Sequence, residues 1–145
     1  MRPQVEPARA HDLEAVLDLL RRADLPAAGV AEHFGHFLVA RDDADLVGAC
    51  GIEACGTDGL LRSVVVDGES RGAGVGTQLA RGAEDLARKL GLTSLYLLTT
   101  GAQGFFARLG YAETPRQGVP PAIRATEEFR SLCPETAHCM RKRLA

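Results

Sequence analysis

A glycine-rich loop is the segment of the sequence best suited to binding chemistry. The valine-rich run Leu60–Val66 leads into Asp67–Gly76, where glycines alternate at positions 72, 74 and 76, and a long helical pattern follows. Glycines lack a Cβ, so successive backbone N–H groups stay uncovered and an anion can approach them closely. The start of a helix carries about half a positive charge, to which Arg71 adds a full one. Together these features predict a cradle for a pyrophosphate group.

Two familiar phosphate-binding loops do not match this segment. A nucleotide P-loop has the pattern G-x-x-x-x-G-K-[ST], and no lysine stands here. A dinucleotide-binding loop has the pattern G-x-G-x-x-G, but position 77 is Thr77, and the strands before the loop are joined as hairpins. The glycine loop instead has the pattern R-x-x-G-x-G, which begins at Arg71 and follows a predicted strand.

Arg62 is a charged residue within an otherwise apolar strand. By the period-two rule it should share a face with Leu60, Val64 and Val66. Burial of an unpaired guanidinium would be costly. We therefore expect Arg62 either to pair with an acid such as Glu53 or to bind a substrate carboxylate in a bidentate manner.

The elements around these residues alternate in type along the chain. A meander of strands comes first, and then helix, strand, helix and strand follow, which predicts an α/β (or α+β) fold with a sheet of mixed direction. The predicted strands are Gln4–Arg9, His36–Arg41, Leu46–Cys55, Leu60–Val66, Ser94–Thr99 and Ala137–Arg143. One predicted helix begins at Asp12. Three others cover Gly74–Leu90, Ala102–Leu109 and Ile123–Leu132.

Length and charge narrow the function classes. The chain has 145 residues, the usual size of one compact domain, so we expect a single domain over residues 1–145. With 17 Lys and Arg against 19 Asp and Glu, the sequence lacks the basic character expected of a nucleic-acid or anionic-membrane partner. It has no apolar run of transmembrane length, and no signal peptide at its start. We therefore expect a cytoplasmic protein, with a homodimer left open.

The cysteines and histidines do not form a recognisable metal motif. No C-x-x-C pair occurs, so we expect free, packed thiols. His33 and His36 have a spacing that could suit a metal, but no third ligand lies nearby in sequence, so we predict no metal. The four cysteines are Cys50, Cys55, Cys133 and Cys139.

A second motif follows the glycine loop about 30 residues later. Residues Ala102–Tyr111 read AQGFFARLGY. With the R-x-x-G-x-G loop, this segment resembles the GNAT superfamily of acyl-CoA-dependent N-acetyltransferases, whose second signature is A-x-x-F-Y-x-x-x-G-F. The resemblance covers Gln4 to about Tyr111. It implies a mixed, mostly antiparallel sheet that is flanked by helices and splayed between the strands Leu60–Val66 and Ser94–Thr99.

The resemblance also implies a binding mode for acetyl-CoA in the gap between those two strands. Backbone groups of Val64, Val65 and Val66 would contact the pantetheine arm, and an exposed amide near Val64–Val65 would polarise the thioester carbonyl. The residues implied at the pyrophosphate are Arg71, Gly72, Ala73, Gly74, Val75, Gly76 and Thr77.

Two positions depart from the family pattern. Phe106 stands where the family often has a tyrosine that acts as general acid, and Thr99 stands where an asparagine is frequent. We place Thr99 among the substrate-binding residues. The thiolate either leaves without a side-chain acid, or Tyr111 or Tyr96 substitutes, and we assign Tyr111 to the catalytic set.

For the general base we select Glu53, near the end of the strand that pairs with Leu60–Val66. A carboxylate can act as a base when burial lifts its pKa toward neutrality. His36 is a second candidate.

The resemblance implies an N-acetyltransferase that moves an acetyl group from acetyl-CoA to the amine of a small, anionic, amino acid-like substrate, by direct attack in a ternary complex. A narrower resemblance, carried mainly by the tail PPAIRATEEFRSLCPETAHCM, is to the ArsN-type acetyltransferases associated with arsenic-resistance operons. Two alternatives stay open: acetylation of a protein N-terminus or lysine, and a non-catalytic module that binds acyl-CoA or a metalloid.

Overall fold

Seven strands form one mixed sheet in the computed structural model, which describes residues 3–70, 72, 74–132 and 136–144. The order across the sheet is β1-β2-β3-β4-β5-β7-β6, and every neighbouring pair is antiparallel except β4–β5. The mixed, mostly antiparallel sheet predicted from the sequence is confirmed. The strands are β1 (Gln4–Pro7), β2 (Phe37–Asp42), β3 (Asp45–Cys55), β4 (Asp58–Val66), β5 (Ser94–Thr99), β6 (Ala112–Glu113) and β7 (His138–Arg143).

Helices cover both faces of the sheet. The long helix α2 packs its buried residues, among them Leu79 and Ala83, against the face that carries Leu38 and Ile52. Helix α1 packs on the opposite face, because its apolar residues recur at helical spacing and form one stripe. The helices are α1 (Leu13–Arg22), α2 (Val75–Lys89), α3 (Gln103–Arg108) and α4 (Pro121–Arg124).

The parallel strands β4 and β5 pair over a short distance. Asp58–Leu60 lie opposite Ser94–Tyr96, and the pairing ends there. Beyond Leu60 the two strands part, although β4 continues to Val66 and β5 to Thr99. The predicted splay between these strands is therefore confirmed, and it leaves one edge of β4 without a strand partner.

A bulge interrupts β4 at Ser63. Ala49 pairs with Val65, but Gly51 pairs with Arg62, so β4 carries one extra residue between these two pairs. Ser63 takes a left-handed φ of +59°, which is rare for a residue other than glycine. Each inserted residue reverses the alternation of side chains beyond it.

The bulge overturns one prediction from the period-two rule. Val64 and Val66 pack against the α2-side core with Leu61, whereas Leu60 lies in a cluster on the other face with Ile123 of α4. The prediction that Val64 and Val66 share a face with Leu60 is wrong, because the rule assumes an unbroken strand. Leu60 and Arg62 both precede the bulge and keep the regular alternation.

The tail also differs from the prediction of one helix over Ile123–Leu132. Helix α4 ends at Arg124, and the hydroxyl of Thr126 donates to the carbonyl of Ile123 at 2.7 Å. A separate π-helical turn follows at Glu128–Leu132. The two-residue strand β6 was not predicted. None of the helices described is long and apolar enough to cross a membrane.

Candidate active site

A cleft of about 1310 Å³ opens where β4 and β5 part. Its walls come from β4 beyond Leu60, from the chain after Leu97, and from the loop Ala23–Pro26 that follows α1. The glycine loop and the first turn of α2 line its far end. This volume exceeds the roughly 300–1,000 Å³ of a typical small-molecule pocket. The cleft has room for an extended ligand together with a second, smaller one.

The glycine loop has the open geometry that the sequence predicted. Gly72 has a φ of +85° and Gly74 has a φ of +81°. Residues other than glycine adopt these values only with strain. A Cβ built at either position would have no atom within 4 Å, so the space above both glycines is open. Two residues predicted for this loop, Arg71 and Ala73, lie outside the described residues.

In the part of the chain that the structure describes, the start of α2 has backbone N–H donors with no partner inside the helix. Gln78 is the first residue whose N–H donates back along the helix, to the carbonyl of Gly74 at 3.0 Å. The amides of Val75, Gly76 and Thr77 precede it and have no carbonyl to bond within the helix. All three residues line the cleft. The loop and helix start can therefore hold an anionic group at this end.

The free edge of β4 forms the middle of the cleft. Val64, Val65 and Val66, which were predicted to contact the cofactor, all line it. The backbone N–H and C=O groups that a neighbouring strand would engage have no partner on β5 here. These groups are available to hydrogen-bond a ligand that lies between the strands.

Arg62 is held internally at the other end of the cleft. Its side chain has no exposed surface. Nη1 donates to Oε2 of Glu53 at 2.8 Å, Nη2 donates to the carbonyl of Ala28 at 2.7 Å, and Nε donates to Oγ of Ser63 at 3.0 Å. Of the two alternatives considered for Arg62, the structure therefore shows the pair with Glu53. The same contacts tie the loop after α1 to β4.

Glu53 lies beside the cleft, and it is not among the residues that line it. The residue is 7% exposed. Oε2 accepts from Arg62, and Oε1 lies 3.4 Å from Nε2 of His33. Both oxygens are thus engaged and Glu53 holds Arg62, while its role as general base stays a prediction. His36, the second candidate for the base, does not line the cleft either.

Glu128 is the functional candidate that the sequence analysis missed. It is 5% exposed, it lines the cleft, and its Oε1 lies 3.8 Å from Nε of Arg62. Burial raises the pKa of Glu128 to about 7, Arg62 acts in the opposite direction, and the charge of Glu53 raises it further. The one local sequence signal for Glu128 is its position next to the apolar Phe129. The spacing of residues along the chain does not show that Glu128 lies near Arg62.

Tyr111 lies in the α2-side core, away from the cleft lining. Its ring packs edge-to-face on Phe106, with 5.5 Å between the ring centroids. Its hydroxyl is buried beside the carboxylate of Glu84. Burial and the charge of Glu84 raise the pKa of Tyr111 above its usual range. Tyr111 does not line the cleft, and its role as general acid stays a prediction.

Thr99 and Phe106 both line the cleft. The hydroxyl oxygen of Thr99 accepts from the N–H of Ala102 at 3.0 Å, which shapes the turn into α3. Tyr96, the other tyrosine considered, is a buried residue of the cluster that contains Leu60. The sequence-predicted Thr99 is thus near the ligand space, and Tyr96 is a packing residue.

Cys50, Cys55 and Cys139 are free thiols, as predicted, whereas Cys133 lies outside the described residues. Burial raises the pKa of the Cys50 thiol to about 12. Within the described ranges, no three His, Cys, Asp or Glu side chains are grouped so that they could hold a metal ion.

Comparison with known proteins gives the family. A sequence model of the acetyltransferase (GNAT) family matches residues 5–111. An uncharacterised N-acetyltransferase of Chlorobaculum tepidum, CT2212, is 34% identical over 96 residues, which cover 65% of this chain and 61% of that protein. The chain thus matches less than two thirds of this relative's length.

Solved structures share the fold. The N-acetylglutamate synthase of Neisseria gonorrhoeae, complexed with coenzyme A and N-acetyl-glutamate, superposes with a TM-score of 0.87 at 19% identity, over 100% of this chain and 36% of that one. Rv2747 of Mycobacterium tuberculosis, in complex with CoA and NLQ, gives a TM-score of 0.84 at 23% identity, over 98% of this chain and 99% of that one. With the family match over most of its length, the chain belongs to the acetyltransferase (GNAT) family.

Proposed function

We propose that the protein is an acetyl-CoA-dependent N-acetyltransferase that acts on a small amine by direct attack in a ternary complex. One observation carries the proposal: a single cleft joins the anion-binding loop to the Arg62–Glu128 cluster, past the free edge of β4. Membership of the acetyltransferase (GNAT) family supports it.

The residues present fit coenzyme A. The open space above Gly72 and Gly74 suits a pyrophosphate, and so do the first amides of α2, which have no partner inside the helix among the described residues. The free edge of β4 offers alternating donors and acceptors to a pantetheine amide chain. Acetyl-CoA would supply an activated acetyl group as a thioester. A β4 amide near the bulge at Ser63 would stabilise negative charge on its carbonyl oxygen, a contribution of about 3–4 kcal/mol where it has been measured.

We propose an amino acid-like acceptor in the first instance. A free α-amine has a pKa of about 7.7–8.0, so a useful fraction is neutral near pH 7, whereas a lysine-type amine at about 10.4 is almost fully charged. The N-acetylglutamate synthase structure, which has the same fold, is complexed with N-acetyl-glutamate, and a small-molecule acceptor is consistent with that fold. The narrower ArsN-type resemblance adds an amino acid with an anionic arsenic or phosphorus group.

An anionic acceptor would need a donor other than Arg62, because that guanidinium has no exposed surface and bonds Glu53. In the described lining of the cleft, the remaining charged residues are Asp24 and Glu128, which are both acidic. This observation favours a second candidate, acetylation of a cationic amine such as a lysine side chain or a protein N-terminus. The predicted homodimer and cytoplasmic location remain predictions.

A panel of acceptors tests the proposal. Purified protein and acetyl-CoA would be mixed separately with glutamate, glutamine, phosphinothricin, a diamine and a short peptide with a free N-terminus. Thiol release is measured, and the product is checked by mass for one added acetyl group. Turnover on the amino acids supports the first candidate, and turnover on the diamine or peptide supports the second. If calorimetry detects CoA binding but no amine is acetylated, the result supports the third alternative, a non-catalytic module that binds acyl-CoA.

A further inference from the structure

We propose that Glu128 is the catalytic base, which accepts a proton from the acceptor amine at the end of the cleft opposite the glycine loop. This inference rests on the proposed function and assigns a residue that the local motifs do not contain. Glu128 comes from the tail, in the π-helical turn before β7, and it is a buried carboxylate that also lines the cleft. A general base must contact the bound amine, and a carboxylate that lines the cleft meets this requirement.

The position of Glu128 relates directly to the bulge of β4. Its Oε1 lies 3.8 Å from Nε of Arg62, and that Nε donates to Oγ of Ser63 at 3.0 Å. Ser63 is the bulged residue, beside the β4 edge where the thioester carbonyl would lie. Glu128 and the bulged Ser63 therefore lie against the same nitrogen of Arg62.

Arg62 faces two carboxylates and pairs closely with one of them. It lies 2.8 Å from Glu53 and 3.8 Å from Glu128. The closer contact neutralises Glu53, and Glu128 is left with a weaker stabilising charge in a buried environment. As a result the pKa of Glu128 rises to about 7, where a carboxylate is strong enough to take a proton and can still release it.

Other charged groups surround this cluster. His33, from the loop before β2, lies against the second oxygen of Glu53. Asp24 lines the same cleft from the loop after α1. Glu127 precedes Glu128 on its own turn and is exposed. Of these groups, Glu128 alone combines burial with a place in the cleft lining among the residues that the structure describes.

The step conserves atoms and charge. Glu128 removes one proton from the acceptor ammonium and becomes a neutral acid. The amine nitrogen then bonds to the thioester carbonyl carbon, and the carbon–sulfur bond breaks with its electron pair on sulfur. The second nitrogen proton goes to that sulfur, so the products are an amide and a free thiol. Glu128 returns its proton to solvent through the open cleft.

The test is the pH profile of kcat/KM from about pH 5 to about pH 9, in three variants and the wild type. The wild type should lose activity as pH falls through about 7, because Glu128 becomes protonated there. Glu128→Gln should lower kcat/KM by about 10²–10⁴-fold above that pH and remove the acidic limb, with the KM for acetyl-CoA unchanged. The matched control Glu127→Gln changes an adjacent carboxylate outside the cleft lining, and its profile should match that of the wild type.

Glu53→Gln separates positioning from proton transfer. Loss of the Glu53 charge leaves Arg62 to stabilise Glu128, so the acidic limb should move to lower pH and persist. If Glu53→Gln removes the limb, or if Glu128→Gln keeps it, Glu128 is not the base. Absence of turnover by the wild type on every amine would instead overturn the proposed function, and the base with it.

A wild-type measurement covers the case in which Glu128→Gln does not fold. Two acceptors with different amine pKa values are compared. An acidic limb that stays near pH 7 for both belongs to a group of the enzyme and supports the proposal. A limb that follows the amine pKa reports the acceptor alone and overturns it.

Discussion

The end of the cleft that we propose for the phosphates draws on one stretch of chain, within residues 64–77, whereas the proposed acceptor end combines residues from three separate stretches. At the first end the binding groups are backbone amides, held by glycines and by a helix start. At the second they are charged side chains, Arg62, Glu53 and Glu128, brought together from β4, β3 and the tail. A local site depends on backbone conformation, and an assembled one depends on the pairing of buried charges.

The largest expected effect is at the assembled end. Arg62→Met leaves Glu53 and Glu128 buried without their cation, so we expect the free energy of unfolding to fall by about 3–5 kcal/mol. Urea unfolding at neutral pH measures it. The control Arg108→Met removes an exposed arginine at the end of α3 and should change stability by about 0.5 kcal/mol or less. Equal, small effects of both changes would show that the buried cluster contributes little to stability.

The second largest expected effect is a pH dependence of the free energy of unfolding, which Glu128 at the proposed acceptor end should cause. The pKa of Glu128 is about 7 in the folded protein, against an ordinary value of 4.5. Between these values the folded state holds more protons than the unfolded state, so the free energy of unfolding falls as pH rises, by up to about 3 kcal/mol.

Urea unfolding at a series of pH values measures this dependence as the difference between the wild type and Glu128→Gln. The two curves should converge at low pH and separate toward neutrality, with the wild type losing stability relative to the variant. Glu127→Gln changes a neighbouring exposed carboxylate, and its stability should vary with pH in the same way as that of the wild type. Parallel curves for the wild type and Glu128→Gln would contradict a raised pKa.

The smallest effect on stability is expected at the local end. Gly74→Ala forces a side chain into a left-handed φ of +81° at the start of α2, which costs about 1–2 kcal/mol. Gly56→Ala is the matched control, since it has a φ of +67° in the turn between β3 and β4 and equally open surroundings.

The two alanine variants should lose similar stability, but Gly74→Ala alone should raise the KM for acetyl-CoA, because its Cβ enters the open cradle. The KM for the acceptor should change little in either. Steady-state kinetics with each substrate varied in turn measures both constants. A rise of the acetyl-CoA KM in Gly56→Ala as well would mean that general strain, and not the cradle, is responsible.

Much of the fold follows from local pattern. Strand β5 has the predicted bounds Ser94–Thr99, and α2 differs by one residue at each end from the predicted Gly74–Leu90. Long apolar periods and glycine punctuation determine such elements within one segment. The tail was predicted less well: the helix expected over Ile123–Leu132 ends at Arg124, where the hydroxyl of Thr126 donates to the carbonyl of Ile123.

Family membership, the alternation of elements and the glycine loop were predictable from the sequence, since each depends on residues that are neighbours along the chain. The orientation of the valines after Ser63 and the partner of Arg62 became clear only in the folded protein. The tertiary structure also decided that Glu128 lines the cleft. The physical reason is that a bulge forms between two paired strands, and a buried charge takes the partner that folding places beside it. Neither is encoded in the spacing of one segment.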